Sequence, residues 1–177
     1  MDRTNSKRQQ VLNALDDCQW TTDPGRLSAG QVMTTTLSCV ESEENALELV
    51  KLFHRKRFRH LLVTDSANRL VGVISDRDVV RCFGPDRNPD RSVLEKIVAR
   101  QIMSTDLVTI CPNTPLDRAA SLMVEEGISC LPVLEDGTLM GIITNTDLHV
   151  VLQVLLQTLR QSSPEQSTAA TISNPQN

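Results

Sequence analysis

The sequence predicts a mixed α/β fold of the α+β type, built from two copies of one β-α-β-β-α unit. The first observation is an internal repeat, because residues 32–83 align with residues 102–152. Met33 matches Met103 at an offset of 70 residues, and Asp78 matches Asp147 at an offset of 69. The second observation is the order of patterns, since each copy has one helical pattern followed by two short apolar runs around a polar turn. The offset changes in this turn, where hairpin lengths vary freely.

Each copy begins with a short strand, LSCV at residues 37–40 or LVTI at residues 107–110, and continues with a helix. Thr114 is expected to be the N-cap of the second of these helices, with Pro115 at its first position. Two strands follow, HLLVT and LVGVI in the first copy, CLPVL and LMGII in the second. A last helix begins near Ser75 or Thr144. Apolar residues at helical spacing form one face of each first helix: Ala46, Leu49, Val50 and Phe53, and Leu116, Ala119, Ala120 and Met123.

The predicted domain boundaries follow from these patterns. Residues 1–28 form a helical extension, residues 29–83 and 102–160 the two repeats, and residues 84–101 a loop with a short helix. Residues 161–177 lack apolar periodicity and are predicted to be a disordered polar tail. The helix that begins near Thr144 is expected to reach Leu159 and to pack against a partner chain through an apolar stripe: Leu148, Val151, Leu152 and Leu155.

Composition excludes several classes of protein. The five cysteines are odd in number and lack a CxxC spacing, which is typical of reduced thiols rather than of a disulfide framework. The net charge of −4 gives no overall attraction to nucleic acid or to an anionic membrane. The polar N-terminus does not resemble a signal peptide, and no apolar run is long enough to cross a bilayer, so we expect a cytoplasmic protein. Recognisable catalytic and metal-binding motifs are missing, which predicts a protein that is not an enzyme.

One motif occurs in both copies: GVISDRDV at residues 72–79 and GIITNTDL at residues 141–148. Its hydroxyl and carboxylate, three residues apart, are typical of a capping box that closes the start of a helix. They also suit a ligand, because a helix N-terminus attracts phosphate and a carboxylate can accept two hydrogen bonds from a ribose. Both interpretations remain open from the spacing alone.

The whole pattern resembles a tandem CBS-domain protein, a Bateman module, over about 120 residues. The stretches that carry the resemblance are VMTTTLSCV with RHLLVTDSANRLVGVISDRDVV, and IMSTDLVTICPNTPLDRAASLMVEEGISCLPVLEDGTLMGIITNTDL. The resemblance implies two repeats packed sheet to sheet about a pseudo-twofold axis. It also implies a regulatory ligand of the adenosine type (AMP, ADP, ATP or S-adenosylmethionine) in one or two clefts between the repeats.

The resemblance implies site residues in two clefts, each built from both repeats. In each cleft the aspartate is expected to hold the ribose and the serine or threonine to bind sugar or phosphate oxygens, with Ile128 or Phe58 beside the base. The first cleft combines Val73, Ser75, Arg77 and Asp78 with Thr105, Ile128, Ser129 and Cys130. The second cleft combines Ile142, Thr144, Thr146 and Asp147 with Thr35, Phe58, Arg59 and His60.

The two clefts are expected to differ. Arg59 and His60 are basic where the other copy has Ser129 and Cys130, so the cleft at Asp147 is predicted to take the more phosphorylated ligand. The basic run HRKRFRH at residues 54–60 is interpreted as a helix end with a phosphate contact, and nucleic acid is an unlikely partner. The sequence thus predicts a non-catalytic regulatory module in energy sensing, which dimerises through its repeat helices and acts on an unknown effector protein. The alternatives are a ligand-free interaction module and a nucleic-acid-linked regulator.

Overall fold

The structure is a computed structural model that describes residues 3–18, 27–56, 58–83 and 90–162. The loop at residues 84–89 and most of the predicted disordered tail, residues 163–177, lie outside the described residues. An N-terminal helix precedes the first repeat, α1 (Arg3–Cys18). The first repeat contains α2 (Ala29–Val32), β1 (Cys39–Glu41), α3 (Ala46–Lys56), β2 (His60–Thr64), β3 (Leu70–Ser75) and α4 (Asp76–Arg81). The remaining elements are α5 (Arg91–Leu94), α6 (Ala99–Ile102), α7 (Leu116–Glu125), β4 (Cys130–Glu135), β5 (Thr138–Thr144) and α8 (Asn145–Ser162).

The strands form two small sheets, one in each repeat. In the first sheet β1 pairs parallel with β2, and β2 pairs antiparallel with β3, with Leu61 opposite Ile74. In the second sheet β4 pairs antiparallel with β5, with Leu131 opposite Ile143. The matching registers and the mixture of sheets and helices confirm the predicted α+β class.

Two local predictions for the second repeat were wrong. Residues 107–110 do not form a strand, and the segment meets β4 at a single bridge between Ile110 and Val133. The Thr114 hydroxyl does not cap α7, since it accepts a hydrogen bond from the amide of Cys111 instead. Pro115 takes the N-cap position with extended backbone, and the helix begins at Leu116. A turn stabilised by the hydroxyl therefore competes successfully with the cap.

The two repeats exchange backbone pairs across their boundary. Thr34, just before the first sheet, exchanges two hydrogen bonds with Ile142 of β5, at 2.9 and 3.0 Å. Ser104 makes the matching pair with Val73 of β3, at 2.9 and 3.1 Å. Each sheet is thus completed by a segment that precedes the other repeat's first strand, which places those segments against the ends of β3 and β5.

Apolar packing connects the sheets to each other and to the N-terminal helix. Leu62, Cys130 and Ile142 form a small buried cluster between the two sheets, with Val73 and three leucines packed around it. Each repeat also has a core of its own, and the core of the second repeat includes residues of α1.

Helix α8 packs against α1 of the same chain, which changes the interpretation of its apolar stripe. Val151 is buried in the core shared with α1, while Leu148 and Leu155 pack against that core. Within the predicted stripe, Leu152 stays exposed, at 53% of its surface. Burial by a partner chain is therefore not needed for three of the four residues.

Candidate functional site

The repeated hydroxyl and aspartate form a capping box in both copies. Ser75 is the N-cap of α4. The Asp78 Oδ2 accepts hydrogen bonds from the Ser75 amide (2.8 Å) and from the Ser75 hydroxyl (2.6 Å). The Asp147 Oδ2 accepts the same pair of bonds from Thr144, at 2.8 and 2.6 Å. The cap occupies one carboxylate oxygen in each copy, so a second role depends on the other oxygen.

The second oxygen of Asp147 is held inside the protein. Asp147 is 5% exposed, and its Oδ1 forms a salt bridge of 2.7 Å with the Lys7 ammonium of α1. The Thr34 hydroxyl donates to the same oxygen at 3.0 Å. Burial of this carboxylate is tolerated because both of its oxygens are paired and one partner carries a full positive charge.

Helix α1 is also bonded to the segment that precedes the first sheet. The Lys7 ammonium donates to the carbonyl of Val32, and the Gln10 side chain donates to the carbonyls of Gln31 (2.9 Å) and Met33 (3.1 Å). Polar side chains of α1 therefore satisfy consecutive backbone acceptors of this segment. The first half of α1 becomes one wall of the space beside Asp147.

The second oxygen of Asp78 has a different partner, and the Asp78 side chain is 17% exposed, against 7% for that of Asp147. Its Oδ1 receives a hydrogen bond of 3.1 Å from Arg81, a residue three positions later whose side chain is 79% exposed. An exposed pair of this kind contributes little to stability and exchanges readily with water. The two repeats thus share the cap and differ in what faces the remaining oxygen.

A cavity of about 600 Å³ lies beside Asp147, between the two repeats and α1. All eight residues that were predicted for the cleft at Asp147 line it: Thr35, Phe58, Arg59, His60, Ile142, Thr144, Thr146 and Asp147. Arg77 and Ser129, which were predicted for the other cleft, line the same cavity. The volume is within the range of about 300 to 1,000 Å³ that is typical of small-molecule sites.

Among the described residues, those of the other predicted cleft are placed in several different surroundings. Asp78 borders a shallow pocket of about 240 Å³ with Arg81, Cys82 and Ile102. Val73 packs in the cluster between the sheets, Ile128 packs against the core of the second repeat, and Thr105 is exposed. Ser75 stays at the cap of α4.

Cys130, which was also predicted for the cleft at Asp78, is buried in the apolar cluster between the two sheets. It is 8% exposed, and burial, with a smaller effect of Asp78, raises the pKa of its thiol to about 12. The thiol is therefore protonated at neutral pH and acts as a small apolar side chain.

Two basic residues of the cavity, His60 and Arg59, have weak or neutral partners, whereas Lys7 is paired with Asp147. Burial lowers the pKa of His60, so its imidazole is neutral at pH 7, and its Nε2 lies 2.8 Å from the Ser129 Oγ across the repeat boundary. The Arg59 guanidinium lies 3.6 Å from Asp76, and its side chain is 60% exposed. Arg59 can therefore turn towards an anion in the cavity at little cost.

Sequence reasoning missed the residues that α1 brings to the cavity: Thr4, Ser6, Lys7 and Gln10. The sequence predicted a helical extension at residues 1–28, but gave no information on which of its polar residues face Asp147. Within the described residues, no group of three or more metal-ligating side chains lies together, and no helix is long and apolar enough to cross a membrane.

Comparison with known proteins places this geometry in a family. The model of the CBS domain matches residues 29–84 and 99–153, more than half of the chain. A CBS domain-containing protein of Dictyostelium discoideum is 32% identical over 143 residues, which cover 76% of this chain and 95% of that protein. For five other curated relatives, the match covers 40% of the protein or less.

Solved structures show the same fold. The CBS domain pair of protein MJ0100, crystallised with 5′-methylthioadenosine and S-adenosyl-L-methionine, has a TM-score of 0.62 and 21% identity, covering 71% of this chain and 95% of that one. The cytosolic domain of the Mg²⁺ channel MgtE, crystallised with ATP, has a TM-score of 0.57 and 27% identity, covering 70% of this chain and 48% of that one. The paired sheets, the duplicated motif and these matches agree, and the chain belongs to the CBS-domain family as a tandem pair.

Proposed function

We propose that this chain is a non-catalytic regulatory module that binds an adenine nucleotide in the cavity beside Asp147. The proposal rests on one observation: an acidic residue of one repeat and basic residues of the other line the same cavity of about 600 Å³. A carboxylate and a helix-start threonine come from the second repeat, and Arg59 with His60 comes from the first. A nucleotide matches this set, because its ribose needs an acceptor, which the carboxylate offers, and its phosphates need a cation, which Arg59 supplies beside the neutral His60.

The individual roles follow from where the side chains lie. Arg59 offers an exposed guanidinium for a phosphate, and the hydroxyls of Thr144 and Thr146 lie at the start of α8, where the helix dipole favours an anion. Phe58 and Ile142 give the cavity apolar surface for a base. The bound nucleotide would shift the module towards the conformation for which the nucleotide has the higher affinity.

The ATP complex of the related MgtE domain supports a nucleotide as the ligand. Adenosine compounds without phosphates, such as S-adenosylmethionine, are further candidates, and the cleft at Asp78 is the candidate for a second site. We place the module in the cytoplasm, where such nucleotides are abundant.

Calorimetric titration with adenosine, AMP, ATP and S-adenosylmethionine tests the proposal. We expect ATP to bind, and Arg59→Gln to weaken ATP binding about tenfold because a charge-assisted hydrogen bond is lost. Adenosine binding should change little in this variant. Arg55→Gln is the matched control, since Arg55 is an exposed arginine on α3 outside the cavity. Equal losses for ATP and adenosine, or none for ATP, would count against the role of Arg59.

A ligand-free interaction module is the alternative, in which both motifs are capping boxes and nothing more. It predicts that none of the four compounds raises the melting temperature, because a compound stabilises only the state it binds. A nucleic-acid-linked regulator predicts salt-dependent binding through residues 54–60 instead.

Signalling would require a further surface. Leu152, Leu156 and Leu159 are each more than half exposed on one side of α8, and we propose that two chains associate there, with an effector protein as the further partner. Light scattering of wild type and Leu156→Glu tests this, with a change from dimer to monomer as the expected result.

A further inference from the structure

We infer that Lys7 of α1 is a built-in competitor for the ribose, so that nucleotide binding beside Asp147 releases the start of α1. This inference rests on the proposed function and adds the conformational change that nucleotide binding would cause. The ammonium of Lys7 occupies the carboxylate oxygen that a ribose would need, at 2.7 Å. The ligand and the docked Lys7 therefore exclude each other at Asp147, although the remainder of the cavity is formed.

The exclusion follows from the number of partners around the carboxylate. The Asp147 Oδ2 accepts two hydrogen bonds from Thr144, which hold the start of α8. The Oδ1 accepts from Thr34 and pairs with Lys7, and the aspartate side chain is left 7% exposed. A carboxylate oxygen has about two acceptor positions, so a ribose hydroxyl must displace one of these donors.

Lys7 is the donor that can leave. The Thr34 hydroxyl is on a short side chain whose backbone is held by two hydrogen bonds to Ile142, whereas the Lys7 ammonium ends a long, flexible side chain on a helix. The same ammonium also binds the carbonyl of Val32, so its departure loosens the contact between α1 and the segment before the first sheet.

The release is expected to involve the first half of α1 and to leave the second half in place. Val11, Ala14 and Leu15 are 0 to 5% exposed and pack in the core shared with α8. Polar contacts are made by residues that precede Val11: Lys7 and Gln10 bond the segment before the first sheet, and the exposed Arg8 donates to Gln157 of α8 at 2.7 Å. The boundary between the polar and the apolar contacts therefore falls near residue 10, inside one continuous helix.

Hydrogen exchange on the wild-type chain provides a direct test. Saturating adenosine should increase amide exchange in peptides from residues 3–10 and leave peptides from residues 11–18 unchanged. Adenosine is the appropriate probe because it carries the ribose without a phosphate that could attract the ammonium. Binding of adenosine with unchanged or slower exchange over residues 3–10 would overturn the inference.

Affinity provides the second test. Lys7→Met removes the ammonium and keeps most of the side-chain volume, so adenosine should bind about tenfold more tightly, within the usual range for coupled equilibria. Lys7→Gln, which keeps a neutral donor, should give a smaller increase. Lys51→Met is the matched control, because Lys51 pairs with Glu48 on the exposed face of α3, and it should not change the affinity.

The outcomes separate this inference from the proposed function. Tighter adenosine binding by Lys7→Met supports both. Adenosine binding that is equal or weaker in Lys7→Met overturns the competition and leaves the nucleotide site standing. Absence of binding by wild type and by every variant overturns both.

Discussion

Met103 lies against Gly72, and Met33 lies against Gly141 in the matching position of the other repeat. The methionine in each pair lies near the start of one repeat, before its strands, while the glycine lies in β3 or β5 of the other repeat. A Cβ on either glycine would lie 2.8 Å from the methionine Cγ. These glycines are therefore required because a side chain from the other repeat covers them.

Gly72→Ala and Gly141→Ala should each destabilise the protein by about 2 kcal/mol, because the added carbon overpacks a filled contact. Denaturant unfolding measures the loss. The double variant Gly72→Ala with Met103→Ala should lose less than the two single variants together, since the shorter side chain vacates the space. Additive losses would show that the two residues do not meet.

Lys7→Met should destabilise the protein by about 3 kcal/mol, because it leaves the Asp147 carboxylate buried without its cation. The double variant Lys7→Met with Asp147→Asn should recover part of this loss, since no buried charge remains. Lys51→Met removes a pair whose side chains are about half exposed and should change stability by less than about 0.5 kcal/mol. Chemical unfolding at pH 7 distinguishes these results.

His60 should make stability depend on pH below neutrality. Burial lowers its pKa in the folded state, so below the unfolded value of about 6.5 the unfolded chain binds more protons than the folded one. Stability is therefore fully present above this pH and falls as pH decreases towards the folded pKa. His60→Gln should therefore reduce the difference in melting temperature between pH 7.5 and 5.5, and an unchanged difference would contradict the burial of His60 as its cause.

Leu15→Ala should cost about 3 kcal/mol, because Leu15 is 3% exposed in the core that α1 shares with α8. Leu156→Ala, at a site that is 57% exposed on α8, should change the stability of the isolated chain by less than about 0.5 kcal/mol. Thermal or denaturant unfolding at low protein concentration checks both. Similar losses at the two sites would contradict the packing of α1 against α8.

The sequence predicted the fold well because duplication repeats every local signal. Ser75 with Asp78 and Thr144 with Asp147 support each other, and the strands that contain Gly72 and Gly141 follow the same pattern. The prediction was wrong at Thr114, where two short-range bonds compete for one hydroxyl and the sequence does not indicate which prevails. The strand predicted at residues 107–110 was wrong because a strand there would need continuous pairing with β4, which is distant in the sequence and meets this segment at one bridge.

The cavity was predicted less completely than the fold. Its residues from the two repeats follow from the resemblance and the internal symmetry, and the eight side chains of the cleft at Asp147 do line one cavity. Lys7 could not be predicted, because it lies outside the repeats and no symmetry-related residue supports it. Its contact with Asp147 joins residues 140 positions apart through the docking of a whole helix.

The backbone pairs of Thr34 with Ile142 and of Ser104 with Val73 determine whether one repeat can fold without the other. A fragment that carried one half of the molecule would lack the segment that finishes its sheet and would present an open edge to solvent. Such a fragment would be prone to self-assembly. Two identical fragments would pair the open backbone groups of their sheets by exchanging these segments.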